Sequence, residues 1–306
     1  MGNPNEAGQY SHHSNEAPPP YSANATLAPR ASFSSSTSSL APPYQAIPSS
    51  SISGVQNRFP QSLNGYWEMK MLSKNILLGE HADKPLFAVS LHSGLTKNKM
   101  VELHSGPNDS DPIIATADHE SRWGSGRTTI IQIIPDGAPR AAVAGSSTGS
   151  SASGSGSTSE GNTTVIMKQP HDWRHTTHKF TVQVGLGKDT HEEEFEWRGS
   201  RGGEVKELDK WSRGWKLVRL NGVSHSHGGE RATRSAGVTS DGKEVVAVYA
   251  QNTKASKNKI FKFQFLEGGA TGVLGETFAT AALMSALKIW YIAYVQQSAA
   301  NAGAGA

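Results

Sequence analysis

Histidine-rich, basic and proline-rich clusters are the parts of this 306-residue sequence whose types and spacing could do chemistry. His171, His175 and His178 stand in HDWRHTTH, His225 and His227 in HSH, and His191 precedes Glu192, Glu193 and Glu194. Imidazole and carboxylate ligate zinc, but a zinc site wants three or four ligands on rigid elements with supporting hydrogen bonds. These histidines fall mainly on expected loops, so no metal is expected. Gly145-Ser146-Ser147-Thr148-Gly149 spells G-x-S-x-G, yet it lies in a low-complexity tract without the strand-turn-helix setting that a nucleophile elbow needs. Zero cysteine excludes disulfides, thiolate metal sites and cysteine nucleophiles together. Gly269 to Glu276 carries glycines but no Gly-Lys-Ser/Thr, so it is no phosphate loop. With no acid pair standing out for general acid–base work, the expectation is no enzyme and no cofactor.

Basic residues concentrate in two stretches. The first holds Arg198, Arg201, Lys206, Lys210, Arg213, Lys216 and Arg219, diluted by Glu204, Glu207 and Asp209, with Trp211 and Trp215 interleaved. The second holds Lys254, Lys257, Lys259 and Lys262 without any acid. Lysines beside amphipathic aromatics suit an anionic headgroup surface, since each Lys near such a leaflet contributes about 1 kcal/mol. The chain-wide bias is mild, net +3 with pI near 9.0, compatible with anionic phospholipid and far below a nucleic-acid binder. Lipid contact is accordingly expected at Arg198, Arg201, Lys216, Lys254, Lys257, Lys259 and Lys262, against the plainer reading that these line a solvated exterior. In the N-terminal region, Pro18-Pro19-Pro20-Tyr21 fits the PPxY pattern that WW domains grip as polyproline II. Pro18, Pro19 and Tyr21 are the expected contacts, and a HECT-type ubiquitin ligase is an obvious partner. Ala41-Pro42-Pro43-Tyr44 is a degenerate copy lacking the first Pro. Glu6 stands where a myristoylation signal wants Ser or Thr.

The elements that must position these groups are strands and one helix. Residues 1–62 are rich in Ser, Pro, Ala and Asn without a period of two or 3.6, and are expected to be disordered. From Gly65 on, twelve short Val-, Ile-, Phe- and Tyr-rich runs begin at 65, 76, 85, 99, 112, 127, 163, 178, 191, 215, 243 and 259. Phe261, Phe263 and Phe265 alternate with Lys262 and Gln264, and Phe180, Val182 and Val184 alternate likewise, which describes antiparallel strands with one wet face. Twelve strands with open edges would aggregate, and closure into a barrel removes the edges. Residues 138–162 read as a flexible Gly/Ser insertion, 200–214 as a link with a helical turn or two, and 299–306 as a disordered end.

Gly275 to Gln297 reads as one helix. Thr277 to Val295 carries a lone charge, Lys288, and no Pro or Gly. A helix apolar on nearly every side must be buried on every side, in a bilayer or inside a closed protein shell. The run barely reaches the roughly 20 residues that a span needs, and a central charge costs about 2.5–3.5 kcal/mol there. The core reading is therefore favoured, with a tail-anchored, scramblase-like membrane protein as the alternative. Thr277, Thr280, Met284, Lys288 and Tyr291 share one narrow stripe, expected to face a gap or mouth of the shell.

A twelve-stranded meander ending in an all-round apolar helix resembles the Tubby C-terminal-like superfamily, to which phospholipid scramblases and LURP-one-related proteins are akin. The Pro/Ser-rich N-terminal region, FEWRG at Phe195–Gly199, WKLVRL at Trp215–Leu220 and the final strand leading through a Gly-bearing turn into the helix carry the likeness, over residues 63–298. It implies a mainly β fold, a closed antiparallel barrel of about twelve strands around a central hydrophobic C-terminal helix. It also implies a non-enzymatic membrane-surface or adaptor module that binds phosphoinositide headgroups on the barrel surface. With no apolar stretch near the N-terminus to act as a secretory signal, the expected location is cytoplasmic, peripheral at the inner face of the plasma membrane.

Overall fold

A computed structural model describes residues 58–68, 74–93, 98–121, 126–135, 161–170, 176–210, 213–221, 237–251 and 258–303. Within them every expected strand forms: β1 (Ser62–Trp67), β2 (Asn75–Gly79), β3 (Phe87–Leu91), β4 (Val101–His104), β5 (Ile113–His119), β6 (Thr128–Ile133), β7 (Thr163–Lys168), β8 (Thr177–Val184), β9 (His191–Ser200), β10 (Gly214–Arg219), β11 (Val245–Gln251) and β12 (Lys259–Phe265). Each pairs antiparallel with its neighbours in sequence, and β1 closes the ring by pairing with β12 as well as β2, so no edge is left open. Among the described residues three helices complete the fold: α1 (Gly203–Leu208) between β9 and β10, α2 (Glu267–Ala270) after β12, and α3 (Gly275–Gly303).

The alternation read from the sequence decides which face is inside. On β12, Phe261, Phe263 and Phe265 are buried while Lys262 and Gln264 are half-exposed, and on β8 Phe180, Val182 and Val184 are buried between exposed Thr181 and Gln183. Closing a twelve-stranded ring leaves a lumen that strand side chains alone do not fill. α3 fills it: from Phe278 to Tyr291 every residue is buried. The helix lies nearest β5, β6 and β8. Ala115 and Ala117 are buried on β5 and leave room for it, whereas Phe195 and Trp197 on β9, Tyr249 on β11 and Phe261 and Phe263 on β12 fill the rest of the lumen. Phe278 packs on Phe195 with ring centres 4.7 Å apart, Trp290 meets Phe261 at 6.2 Å, and the Trp197 Nε1–H donates to Ser285 Oγ at 2.8 Å. These contacts tie wall to helix along its buried length.

One glycine permits the turn from wall to lumen, and another makes room within the wall. Gly275 has φ +85, a conformation that side chains resist, and a Cβ there would meet the carbonyl oxygen of Gly185 at 2.8 Å. Gly65 on β1 would bring a Cβ within 3.0 Å of Phe261, so its bareness lets the Phe261 ring lie against the wall.

Three expectations change. The barrel begins before residue 63, because Phe59 is buried against Phe87 with ring centres 5.2 Å apart. α3 runs to Gly303 instead of ending at Gln297, its last residues held by Ala, Gln and Ser, which tolerate helix without burial. The stripe expected at a mouth of the shell is closed: Thr280, Met284 and Lys288 have 0% exposure and Tyr291 4%. The closed ring encloses the stripe from Thr280 to Tyr291, and Thr277 at the entry of the helix stays half-exposed. Residues 1–57 and 136–160, with the PPxY motif and most of the Gly/Ser insertion, lie outside the described residues.

Candidate functional site

Antiparallel order gives the barrel two rims. Where β12 ends, α3 goes in; we term this the proximal rim. Where β12 begins, α3 comes out; this is the distal rim, formed by the ends of β1, β3, β5, β7, β9 and β11 and the starts of the even-numbered strands.

The expected lipid-contact residues gather in the distal half of four adjacent strands. Arg198 on β9 and Lys216 on β10 are directly paired, Arg201 follows β9, and Lys259 and Lys262 stand on β12 beside β11. Lys254 and Lys257 fall in the β11–β12 connection, outside the described residues. Their states differ. Arg198 donates from Nε to Glu196 at 2.6 Å and from Nη1 to both oxygens of Asp241 at 2.9 and 3.1 Å. Burial would lower its pKa, but the bonds to Asp241 and Glu196 outweigh it and raise it, so this guanidinium is a pin between strand and loop. Lys262 Nζ donates to the Leu208 carbonyl at 2.9 Å and pairs with Asp209 at 3.4 Å, anchoring α1 to the wall. Lys259 lies over the Tyr66 ring, 5.8 Å from its centre, and burial with the nearby Lys262 charge lowers its pKa. Arg201 is exposed and Lys216 half-exposed.

Arg219, in the same basic run, is carried to the proximal rim by strand direction. It grips Glu193 through Nε and Nη2 and reaches Glu244 at 3.3 Å, while His191 Nε2 meets Glu193 at 2.6 Å. Burial would raise the Glu193 pKa, but the Arg219 and His191 bonds bring it below the usual value. Beside this cluster, Val184, Leu186, Val273 and Leu274 line a cleft of about 300 Å³. Arg219 is thus saturated by carboxylates.

Of the expected histidine cluster, His178 is buried against Trp215, ring centres 5.3 Å apart, and burial drives its pKa down to about 4. His171, His175, His225, His227 and the Gly145–Gly149 motif lie outside the described residues. Among the described residues no group of three or more His, Asp or Glu is placed to hold a metal.

Strand-by-strand reading missed two features of the distal rim. Trp67, Trp290, Tyr291 and Tyr294 form an aromatic cluster where α3 leaves the barrel, Trp67 to Tyr294 at 5.3 Å and Trp290 to Tyr294 at 5.5 Å. Trp67 is over 220 positions from the other three in sequence, and only ring closure joins it to them. Just beneath lies Lys288, fully enclosed, its Nζ 2.7 Å from the Met100 thioether. Burial lowers its pKa to about 8, with Asp118 opposing, and its charge helps keep the His119 pKa down after burial itself. Neither family models, curated proteins nor solved structures offer a match to this chain, so its function must be argued from the barrel's own residues.

Proposed function

We propose that the chain is a Tubby-like, non-enzymatic membrane-surface and adaptor module, whose barrel contacts anionic phospholipid, phosphoinositide included, and whose N-terminal region engages WW-domain proteins. The observation that carries this reading is the placement of Arg201, Lys216 and Lys259 together on the distal half of β9–β12, beside Arg198 and Lys262, which hold Asp241 and α1. α3 occupies the lumen, so recognition falls to the outer surface, where cations beside Tyr66 and Trp215 suit phosphate headgroups. A membrane-spanning α3 would strip that same barrel of its core, which disfavours the tail-anchored alternative. A cytoplasmic module at the inner face of the plasma membrane fits this reading, because anionic lipid is concentrated there.

Neutralising Lys254, Lys257 and Lys259 together is expected to weaken flotation with phosphoinositide vesicles by roughly two orders of magnitude at low salt, at about 1 kcal/mol per Lys. Raising salt should weaken the unaltered protein too, since surface charge is screened within about 8–10 Å. Equal flotation of triple variant and parent at low salt removes this loop from the account. For the adaptor half, a peptide spanning residues 12–28 is expected to capture WW domains, and its Tyr21→Ala form to lose them, because the Tyr ring and the Pro-Pro pair make the contact. Tyr44→Ala should change little, as Ala41 replaces the first Pro. A WW panel that treats native and Tyr21→Ala peptides alike would sink this half of the reading.

A further inference from the structure

We infer that the barrel seats end-on upon an anionic bilayer, its whole distal rim facing the headgroups, with the tip of α3 in the interfacial layer and the proximal rim turned away. This rests on the lipid-surface reading above but assigns a different surface: the circumference of one end instead of the β9–β12 wall.

Charge is the first observation. Among the described residues, the exposed ionic groups at the distal end are Lys74, Arg127 and Lys168, with Arg201, Lys206, Lys210 and Arg213 around the ring, against the acids Glu120 and Glu207. At the proximal end the balance reverses. Lys84 and Lys188 face Glu80, Asp83, Asp109 and Asp189, with Glu192, Glu267 and Glu276 further round. The described residues are therefore bipolar along the barrel axis, although the chain's net charge is only +3. Lys74 and Arg127 immediately precede β2 and β6 and Lys168 ends β7, strands outside β9–β12, so the basic character extends round the rim. A bipolar body near a negative surface is oriented by the field before it touches.

The aromatic residues separate the same way. Trp67, Trp197, Trp215 and Trp290 all lie in the distal half, and so do Tyr66, Tyr249, Tyr291 and Tyr294. The three remaining tryptophans, Trp123, Trp173 and Trp211, fall in sequence between strand ends of that rim, outside the described residues. Of the described phenylalanines, Phe59, Phe87, Phe265 and Phe278 lie toward the proximal end while Phe180 and Phe261 lie in the distal half, so it is Trp and Tyr that sort. Packing needs no such sorting, since Phe fills a core as well as Trp or Tyr. A ring with a polar tip is at home where one end is dry and the other wet, which is the membrane interface. Trp197 and Tyr249 are pure core, but Tyr66, Trp67, Trp215 and Tyr294 are partly exposed at the rim.

The helix supplies the third observation. Beyond Tyr291, α3 projects by twelve residues, about 18 Å, so a barrel standing on this rim must put the tip into the lipid. Residues 289–306 contain no Asp, Glu, Lys or Arg. The tip thus enters without burying a charge, while Gln296, Gln297 and Asn301 keep it among headgroups instead of acyl chains. Arg58 pairs with Glu276 at 2.8 Å on the proximal rim, so the chain preceding the barrel joins it on the side facing away from the bilayer.

The chain has no cysteine, so single labels are clean. A fluorophore is placed through Asn98→Cys on the distal rim opposite β9–β12, Ala299→Cys on the tip, or Ala82→Cys on the proximal rim, and the protein is floated with vesicles of phosphatidylcholine and phosphatidylserine containing brominated lipid. Quenching is expected at 98 and 299 and not at 82. A bound protein quenched at 82, or dark to bromine at both 98 and 299, overturns end-on seating and leaves the lipid-surface reading standing. Failure to float at all overturns both. Replacing Lys74, Arg127 and Lys168 together by Glu should lower vesicle binding by roughly a hundredfold or more, at roughly fivefold per charge near the surface before screening. Unchanged binding by that variant would mean that the wall alone makes contact.

Discussion

A chain ending at Gly275 is expected not to fold. The cut removes Phe278, Leu283, Met284, Leu287, Ile289, Trp290 and Tyr291, each buried within the barrel. At about 1.5–3 kcal/mol per large apolar side chain, the loss is roughly 10–20 kcal/mol, as large as the whole 5–15 kcal/mol that holds a domain together. The wall also loses partners it cannot replace: Phe195 its stack with Phe278, Phe261 its contact with Trp290, and Trp197 Nε1 its acceptor Ser285. Such a lumen would have to admit water or collapse, and inward Phe, Val and Leu disfavour water. The measurement is near-ultraviolet circular dichroism with a thermal melt, which should show no cooperative transition. A truncated protein that melts cooperatively would show that α3 is ballast and not core.

Replacing Lys288 by Met is expected to stabilise the protein at neutral pH. The ammonium is fully enclosed, its hydrogen-bond partner is the Met100 sulfur, and Asp118 acts only through its field. Folding lowers its pKa from 10.5 to about 8. The unfolded chain therefore takes up a proton between pH 10.5 and 8 that the folded protein declines. Stability falls as pH drops through that window and stays at the lower level beneath it, by about 3 kcal/mol at 1.36 kcal/mol per pKa unit. Met has similar length and no charge to desolvate. The Lys288→Met protein should melt higher by roughly 6–12 °C at pH 7, and the advantage should vanish as pH approaches 10.5. A variant that is less stable than the parent at pH 7 would mean that the ammonium is satisfied where it sits. His178 adds a second slope: its pKa falls on folding from 6.5 to about 4, so stability declines further as pH drops through that interval.

Alternation and helix periodicity are local properties, and that is why the barrel was legible in the sequence. Phe261, Phe263 and Phe265 announce a one-sided strand because successive side chains point to opposite faces whatever surrounds them. Twelve such runs and hairpin-length loops leave closure as the way to satisfy the edges, and an all-round apolar helix demands an enclosure. The positions of β1–β12, the helical turn near Gly203 and the core role of α3 follow from these rules. Charge runs were less informative, because neighbours in sequence need not be neighbours in space. Arg198 and Arg219 share one basic stretch, yet β9 and β10 set them three register positions apart among different acids, one pinned by Glu196 and Asp241 and the other by Glu193 and Glu244. Only ring closure joins Trp67 to Tyr294, encloses Lys288 beneath them and gathers tryptophans and exposed cations at one end. Those arrangements depend on strand order and direction summed over the whole chain, which no window of sequence contains.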